Sequence, residues 1–151
     1  MKAFYVASAA SALLIAALPA HAAVSVVDDA GETVTLAQPA RRIVSLAPHV
    51  TELIFAAGGG DRIVGTVSYS DYPPQARDIP RVGDNKALDL ERIAALKPDL
   101  IVVWRHGNAQ KQTDRLRALG MPLFFSEPRK LDGIAAVSYT HLRAHETSNH
   151  L

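Results

Sequence analysis

The stretch DLERIAALKPDLIVVW, from Asp89 to Trp104, carries two periodicities back to back. Its first half repeats apolar residues at Leu90, Ile93, Ala94 and Leu96, the spacing of one helix face. Asp89 stands in front of them as an N-cap, because its carboxylate can accept from the first unpaired amides of the helix. Pro98 and Asp99 turn the chain. LIVVW then follows without a polar residue, as expected of a strand in a parallel sheet with helices on both faces. The stretch reads as helix, turn, buried strand.

The same alternation extends in both directions. Upstream, IVSLAP is a β-branched apolar strand that stops at Pro48, and Val50, Leu53, Ile54 and Ala57 then recur at helical spacing. Gly58, Gly59 and Gly60 end that helix. They follow a helix and precede a strand, which is the wrong order for a phosphate cradle. RIVGTV is the next strand, and it feeds SYSDYPPQA, Ser68 to Ala76, a segment whose Pro-Pro pair excludes both helix interior and central strand. A brief RVG follows at Arg81. Downstream of Trp104, Asn108 can cap a helix that turns Ala109, Gln112, Leu116 and Leu119 inward. LFF is a further strand, and Leu131 starts another helix. Ahead of all this, Val24–Val27 and Thr33–Leu36 flank DDAGE and form a hairpin. The expected fold is an α/β lobe: an open Rossmann-like, mostly parallel sheet with flanking helices, preceded by an N-terminal β-hairpin.

The first 22 of the 151 residues are set apart. Lys2, the charge-free run Phe4–Leu18 and the small residues Ala20 and Ala22 make a secretory leader cleaved after Ala22. The run is too short for the ~20 residues of a membrane span. Its removal takes away one lysine and leaves 15 basic against 15 acidic residues, counted from the 16 and 15 of the whole chain. No surplus charge points to nucleic acid or anionic lipid. The chain has no cysteine, hence no disulfide framework and no thiolate metal site. An exported, cysteine-free domain of about 130 residues suits a bacterial periplasm.

Ligands of an open α/β sheet bind outside the carboxyl ends of its strands. There the expected strands deliver Pro48 and His49; Tyr69, Asp71 and Tyr72; Trp104, Arg105, His106 and Asn108; and Ser126 and Glu127. The sole tryptophan and two of the four tyrosines share one rim. Flat rings with few charges suit a large, flat, mostly neutral ligand, although Tyr69 and Tyr72 could equally pack over an edge of the core. Hydrolysis is disfavoured. Ser45, His49 and Asp71 could be drawn as a triad, but no Gly-x-Ser-x-Gly elbow is present and Ser45 lies inside a strand. No enzyme activity is expected.

RIVSLAPHVTELIFAAGGGDRIVGTVSYSDYPPQA (42–76) and LERIAALKPDLIVVWRHGNAQKQTDRLRALGMP (90–122) resemble the periplasmic cobalamin-binding proteins of vitamin B12 ABC importers. SYSDYPP and W-R-x-G-N carry the resemblance to the cobalamin members; LAP…TEL and LKPDL belong to the wider superfamily. The resemblance spans Arg42 to Ile134, most of one lobe of a two-lobe protein whose lobes are joined by a long helix. It implies cobalamin or a related corrinoid as transported ligand rather than cofactor, an inner-membrane ABC permease as partner, and a monomer. By position it implies that Tyr69 contacts the corrinoid, that Trp104 lines the cleft, and that Pro48, His49 and Tyr72 border it. His49 stands where the best-known pattern has a small residue, and Asn85 where it has a cleft tryptophan. His49 could approach the metal or simply line the first helical turn. Glu91 matches a glutamate that pairs with permease arginines; a solvated acid at a helix start needs no such partner.

Two rivals remain. A haem or iron-siderophore receptor of the same superfamily would, for an anionic siderophore, want clustered basic residues; Arg105 and Lys86 are sparse. A small periplasmic hydrolase is the rival from another class. The ending VSYTHLRAHETSNHL breaks the last helix, and its His141 and His145 are not read as a zinc site. The expected organisation is a signal peptide over 1–22, a truncated N-terminal lobe over 23–137 and a non-native tail over 138–151.

Overall fold

The computed structural model describes residues 22–84 and 86–127. The leader up to residue 21, Asn85, the helix expected from Leu131 and the tail from Ser138 lie outside the described residues.

Strands β1 (Val24–Val27) and β2 (Thr33–Leu36) form the expected antiparallel hairpin. Then come β3 (Ile43–Ser45), α1 (Pro48–Ala56), β4 (Ile63–Gly65), α2 (Leu90–Ala95), β5 (Leu100–Trp104), α3 (Gln110–Ala118) and β6 (Leu123–Ser126). The last four strands make one parallel sheet in the order β4-β3-β5-β6. Chain order therefore reverses at β3. The chain leaves β3 toward β4 on one side and later returns to place β5 on the other.

β5 shows why LIVVW is apolar throughout. Leu100 and Val102 join the cluster built on Val50 and Ile54 of α1, with Trp104 packed against its margin. Ile101 and Val103 join the opposite cluster, with Ile93 of α2 and Leu116 of α3. Both faces are covered, and each fully buried side chain of this size stabilises by roughly 1.5–3 kcal/mol relative to exposure. The hairpin also covers the α1 face, through Val34 and Leu36.

Helix boundaries follow local chemistry. Asp89 caps α2, its carboxylate accepting from the Arg92 amide at 2.9 Å. Gly58, at φ +77°, takes the left-handed step that ends α1, and the Gly58 and Gly59 amides return to the Phe55 and Ile54 carbonyls. Asp99 clamps the opposite end of the sheet: its two carboxylate oxygens accept from the Arg41 and Arg42 amides, both at 2.9 Å. That is the role of the LKPDL motif here, to tie the start of β5 to the start of β3.

Three expectations need correction. α3 buries Thr113 and Leu116, while Leu119 is 58% exposed and Ala109 is exposed too. On α2, Ala94 is exposed and Ile93 alone is fully covered. Asn108 does not cap α3; Ala109 holds that position with no side-chain bond, because the Asn108 amide is used elsewhere. The Pro-Pro segment also has more order than a plain loop. Pro74–Asp78 form a 3-10 turn, and Pro is compatible with its first residue because φ is preset there.

The tip of the hairpin is more than a turn. Asp28 is buried, and its Oδ1 accepts from the Ala30 and Glu32 amides at 2.9 and 2.8 Å while Oδ2 accepts from Phe125 at 3.1 Å. The Asp29 amide donates to the Phe125 carbonyl at 3.0 Å, and the Asp29 carboxylate accepts from the Glu127 amide at 2.7 Å. The hairpin tip thus binds the outer edge of β6 and satisfies backbone groups that an edge strand would leave open.

Candidate functional site at the carboxyl edge of the sheet

In a sheet whose order reverses between two strands, the loops leaving them part to opposite faces and open a crevice. Here those strands are β3 and β5. α1 follows β3 onto one face and α3 follows β5 onto the other. The first turn of α1, directly after β3, supplies Pro48 and His49, and β5 ends on Trp104. The two aromatic groups meet edge to face, with ring centroids 5.0 Å apart and planes at 85°. Such a contact is worth about 0.5–1.5 kcal/mol beyond burial.

The motif W-R-H-G-N now has a physical reading. A Cβ on Gly107 would stand 1.7 Å from Cε3 of Trp104, so the indole lies in the space glycine leaves. Asn108 holds the loops together. Its Oδ1 accepts from the Trp104 amide at 2.8 Å, and its Nδ2 donates to the Leu46 carbonyl at 2.9 Å. One side chain therefore bridges both sides of the crevice.

Trp104 is half-buried, with its indole Nε1 enclosed and without a hydrogen-bond partner among the described residues. Nε2 of His49 is enclosed in the same way. Burial holds the His49 imidazole below its ordinary pKa, outweighing the upward pull of the Glu52 and Glu127 carboxylates. Glu127, fixed at its amide by Asp29, pairs with Nδ1 of His106. Glu127, His106 and His49 therefore occupy one corner of the rim. Among the described residues no three His, Asp or Glu side chains gather closely enough to hold a metal ion.

Tyr69 and Tyr72 follow β4, on the far side of β3. Both project into solvent, at 84% and 67% exposure. They do not pack over a core edge. They make no ring contact with Trp104, so the rim is a broken line of aromatics rather than one stack. Asn85 lies outside the described residues. Glu91 is exposed in the first turn of α2, as its position beside the capping Asp89 requires. Ser45 is fully buried, its hydroxyl bonded to Thr51 at 2.9 Å and to the Ala47 carbonyl at 3.2 Å. It cannot serve as an exposed nucleophile. Arg105 donates to the Asp29 carbonyl at 2.9 Å, so this cation is engaged with the hairpin.

A family model described as periplasmic binding protein matches residues 43–142, which include every strand of the parallel sheet. The chain belongs to the periplasmic binding protein family. Vitamin B12-binding proteins of Yersinia pestis and Yersinia pseudotuberculosis are similar to it, at 50% identity over 100 residues, 66% of this chain and 36% of theirs. The chain thus spans about a third of the length of these relatives. Among solved structures, the periplasmic vitamin B12 binding protein BtuF of Vibrio cholerae is similar at 42% identity and a TM-score of 0.62, over 67% of this chain and 42% of that one. The periplasmic heme-binding protein RhuT of Roseiflexus sp. RS-1 is similar at 36% identity and a TM-score of 0.54, over 57% of this chain and 33% of that one. The parallel sheet with its switch between β3 and β5 is accordingly the fold of a periplasmic binding protein lobe.

Sequence reasoning missed several residues that build this edge. Thr51 sits on the buried face of α1 beside Val50 and Ile54, and a hydroxyl at a core position was the available signal. Gly107, one residue before Asn108, was the signal for a ring lying against backbone.

Proposed function

We propose that this chain is the ligand-facing N-terminal lobe of a periplasmic receptor that captures cobalamin, or a related corrinoid, and delivers it to an ABC importer permease. The observation that carries the reading is the His49–Trp104 pair at the switch point of the sheet, with the exposed Tyr69 and Tyr72 on the same edge. A corrin ring is broad, flat and weakly charged at its rim, and aromatic groups with few free cations match it. Pro48, His49, Tyr69, Tyr72, Trp104 and Asn85 border the ligand in this reading. The exposed Glu91 faces the permease, as the resemblance implies. The protein works as an exported monomer and performs no chemistry; cobalamin is cargo.

Haem is the second reading, favoured by the likeness to a heme-binding protein and by a histidine at the rim. Two features weigh against it. Nε2 of His49 is enclosed rather than open to solvent, and Arg105 is committed to the hairpin rather than free for an anionic group. The test is isothermal titration of the chain extended by a second lobe with cyanocobalamin, haemin and a ferric siderophore. Saturable one-to-one binding of cyanocobalamin, with the other two much weaker, is expected. Tight haemin binding with no cyanocobalamin heat would reverse the order of the readings.

A further inference from the structure

Tyr69 poses a physical problem that its neighbours solve. Its φ of +69° lies in the left-handed region, which an aromatic residue adopts only at a cost and only where the surroundings enforce it. Its own side chain is 84% exposed and cannot supply the enforcement. The residues on either side do. Ser68 donates from its amide to the Gly83 carbonyl at 2.8 Å, and from its hydroxyl to the same oxygen at 3.2 Å. Ser70, 1% exposed, is held from two directions.

From below, a chain of buried hydroxyls runs out of the core: Ser45 to Thr51 at 2.9 Å, Thr51 to Thr66 at 2.7 Å, and Thr66 donating to Ser70 at 2.9 Å. All four residues are fully or almost fully enclosed. The chain crosses from β3 through α1 to the end of β4, and so fixes the tyrosine loop against the helix that carries His49. From the side, one guanidinium gathers the loop. Nη2 of Arg81 donates to the Ser70 carbonyl at 2.9 Å and to Oδ1 of Asp71 at 3.2 Å. Nη1 donates to the carbonyls of Ala76 and Ile79 at 2.8 and 3.0 Å. Three of these four acceptors are backbone carbonyls, so the contact sets loop shape rather than simply neutralising a charge. A lysine ammonium has no planar fork with which to reach four acceptors in fixed directions.

We infer that Arg81 and Thr66 are positioning residues for the ligand: together they hold Tyr69 in its left-handed, outward pose so that the ring is preorganised before the ligand arrives. This rests on the corrinoid reading above and deepens it. Preorganisation removes the ordering cost that a mobile loop would pay on binding. The ring projects because its anchors are buried, not because the loop is loose.

A double-mutant cycle in the protein carrying both lobes tests it, with Arg81→Lys, Tyr69→Ala and their combination titrated with cyanocobalamin. If Arg81 acts through Tyr69, Arg81→Lys raises Kd about tenfold in the parent and less than about twofold in the Tyr69→Ala background. Thr66→Val, which keeps shape and deletes the hydroxyl, is expected to behave like Arg81→Lys, and Thr66→Ser to restore the parent Kd. This pair decides the matter if Arg81→Lys fails to fold. Equal losses in both backgrounds, or a parent Kd in both Arg81→Lys and Thr66→Val, would overturn the positioning role and leave the corrinoid reading standing. No cyanocobalamin binding by the folded parent would overturn both.

Discussion

Gly107→Ala is the sharpest single perturbation of the rim, because the structure sets its size. The added methyl would stand 1.7 Å from Cε3 and 2.1 Å from Cδ2 and Cζ3 of Trp104. Carbon atoms pack at about 3.5–4.0 Å, so the indole must retreat by about 2 Å. Gly107 is not among the positive-φ glycines, so alanine adds no backbone strain and the cost isolates the ring contact. Retreat forfeits the edge-to-face contact with His49, about 0.5–1.5 kcal/mol, and the overpacking that remains costs about 1–3 kcal/mol. The expected loss is therefore roughly 1.5–4.5 kcal/mol in urea unfolding. Trp104 is the sole tryptophan of the chain, so its fluorescence reports the displacement directly. Its now-enclosed indole Nε1 moves toward water and the emission shifts to the red. In a Trp104→Leu background the same Gly107→Ala change should cost little. Unchanged emission with a stability loss under about 0.5 kcal/mol would refute the argument that glycine is there for the ring.

Further outcomes follow from the same contacts. Asp28→Ala removes three amide hydrogen bonds from a buried carboxylate, and a loss of about 2–4 kcal/mol is expected, with amide exchange rising first at Ala30, Glu32 and Phe125. His49 has a folded pKa below its ordinary 6.5, so the unfolded chain binds this proton more tightly. The stability from neutral His49 is full above about pH 6.5 and is lost as pH falls through the folded pKa, and His49→Phe should flatten that part of the urea midpoint profile. Asp84, also lowered, by the Ala87 and then the Lys86 amide bonds, acts only below its ordinary 3.8 and leaves that window clear. If Glu91 docks the permease as proposed, Glu91→Lys should leave ligand binding intact and weaken association with the cognate permease in detergent or nanodiscs, since its side chain is exposed in the first turn of α2.

Much of the sheet was legible because burial on both faces makes its strands almost wholly apolar. IVSL predicted a strand and LIVVW a strand covered on both faces, and Asp89 marked the start of α2 by its chemistry alone. The carboxyl-edge rule then placed Pro48, His49, Trp104 and Tyr69 on one rim from element order. What escaped was set by tertiary partners. Leu119 and Ala94 fit helical spacing, yet α2 and α3 are short and only one stripe of each meets the sheet. Asn108 looked like a cap because nothing local reveals that its amide reaches the Leu46 carbonyl. Nothing local singled out Arg81, whose four acceptors become neighbours only once the tyrosine loop folds back over it. The aspartates of DDAGE signalled a turn, and their second role depends on β6 arriving beside them.

Fluorescence of Trp104 during addition of cyanocobalamin tests the central claim most directly, in the chain extended by a second lobe and stripped of any further tryptophan. Saturable quenching at one ligand per protein, absent with haemin, is the expected result. A folded protein whose Trp104 emission does not change, while calorimetry shows cyanocobalamin bound, would place the ligand away from the β3–β5 switch and contradict the account.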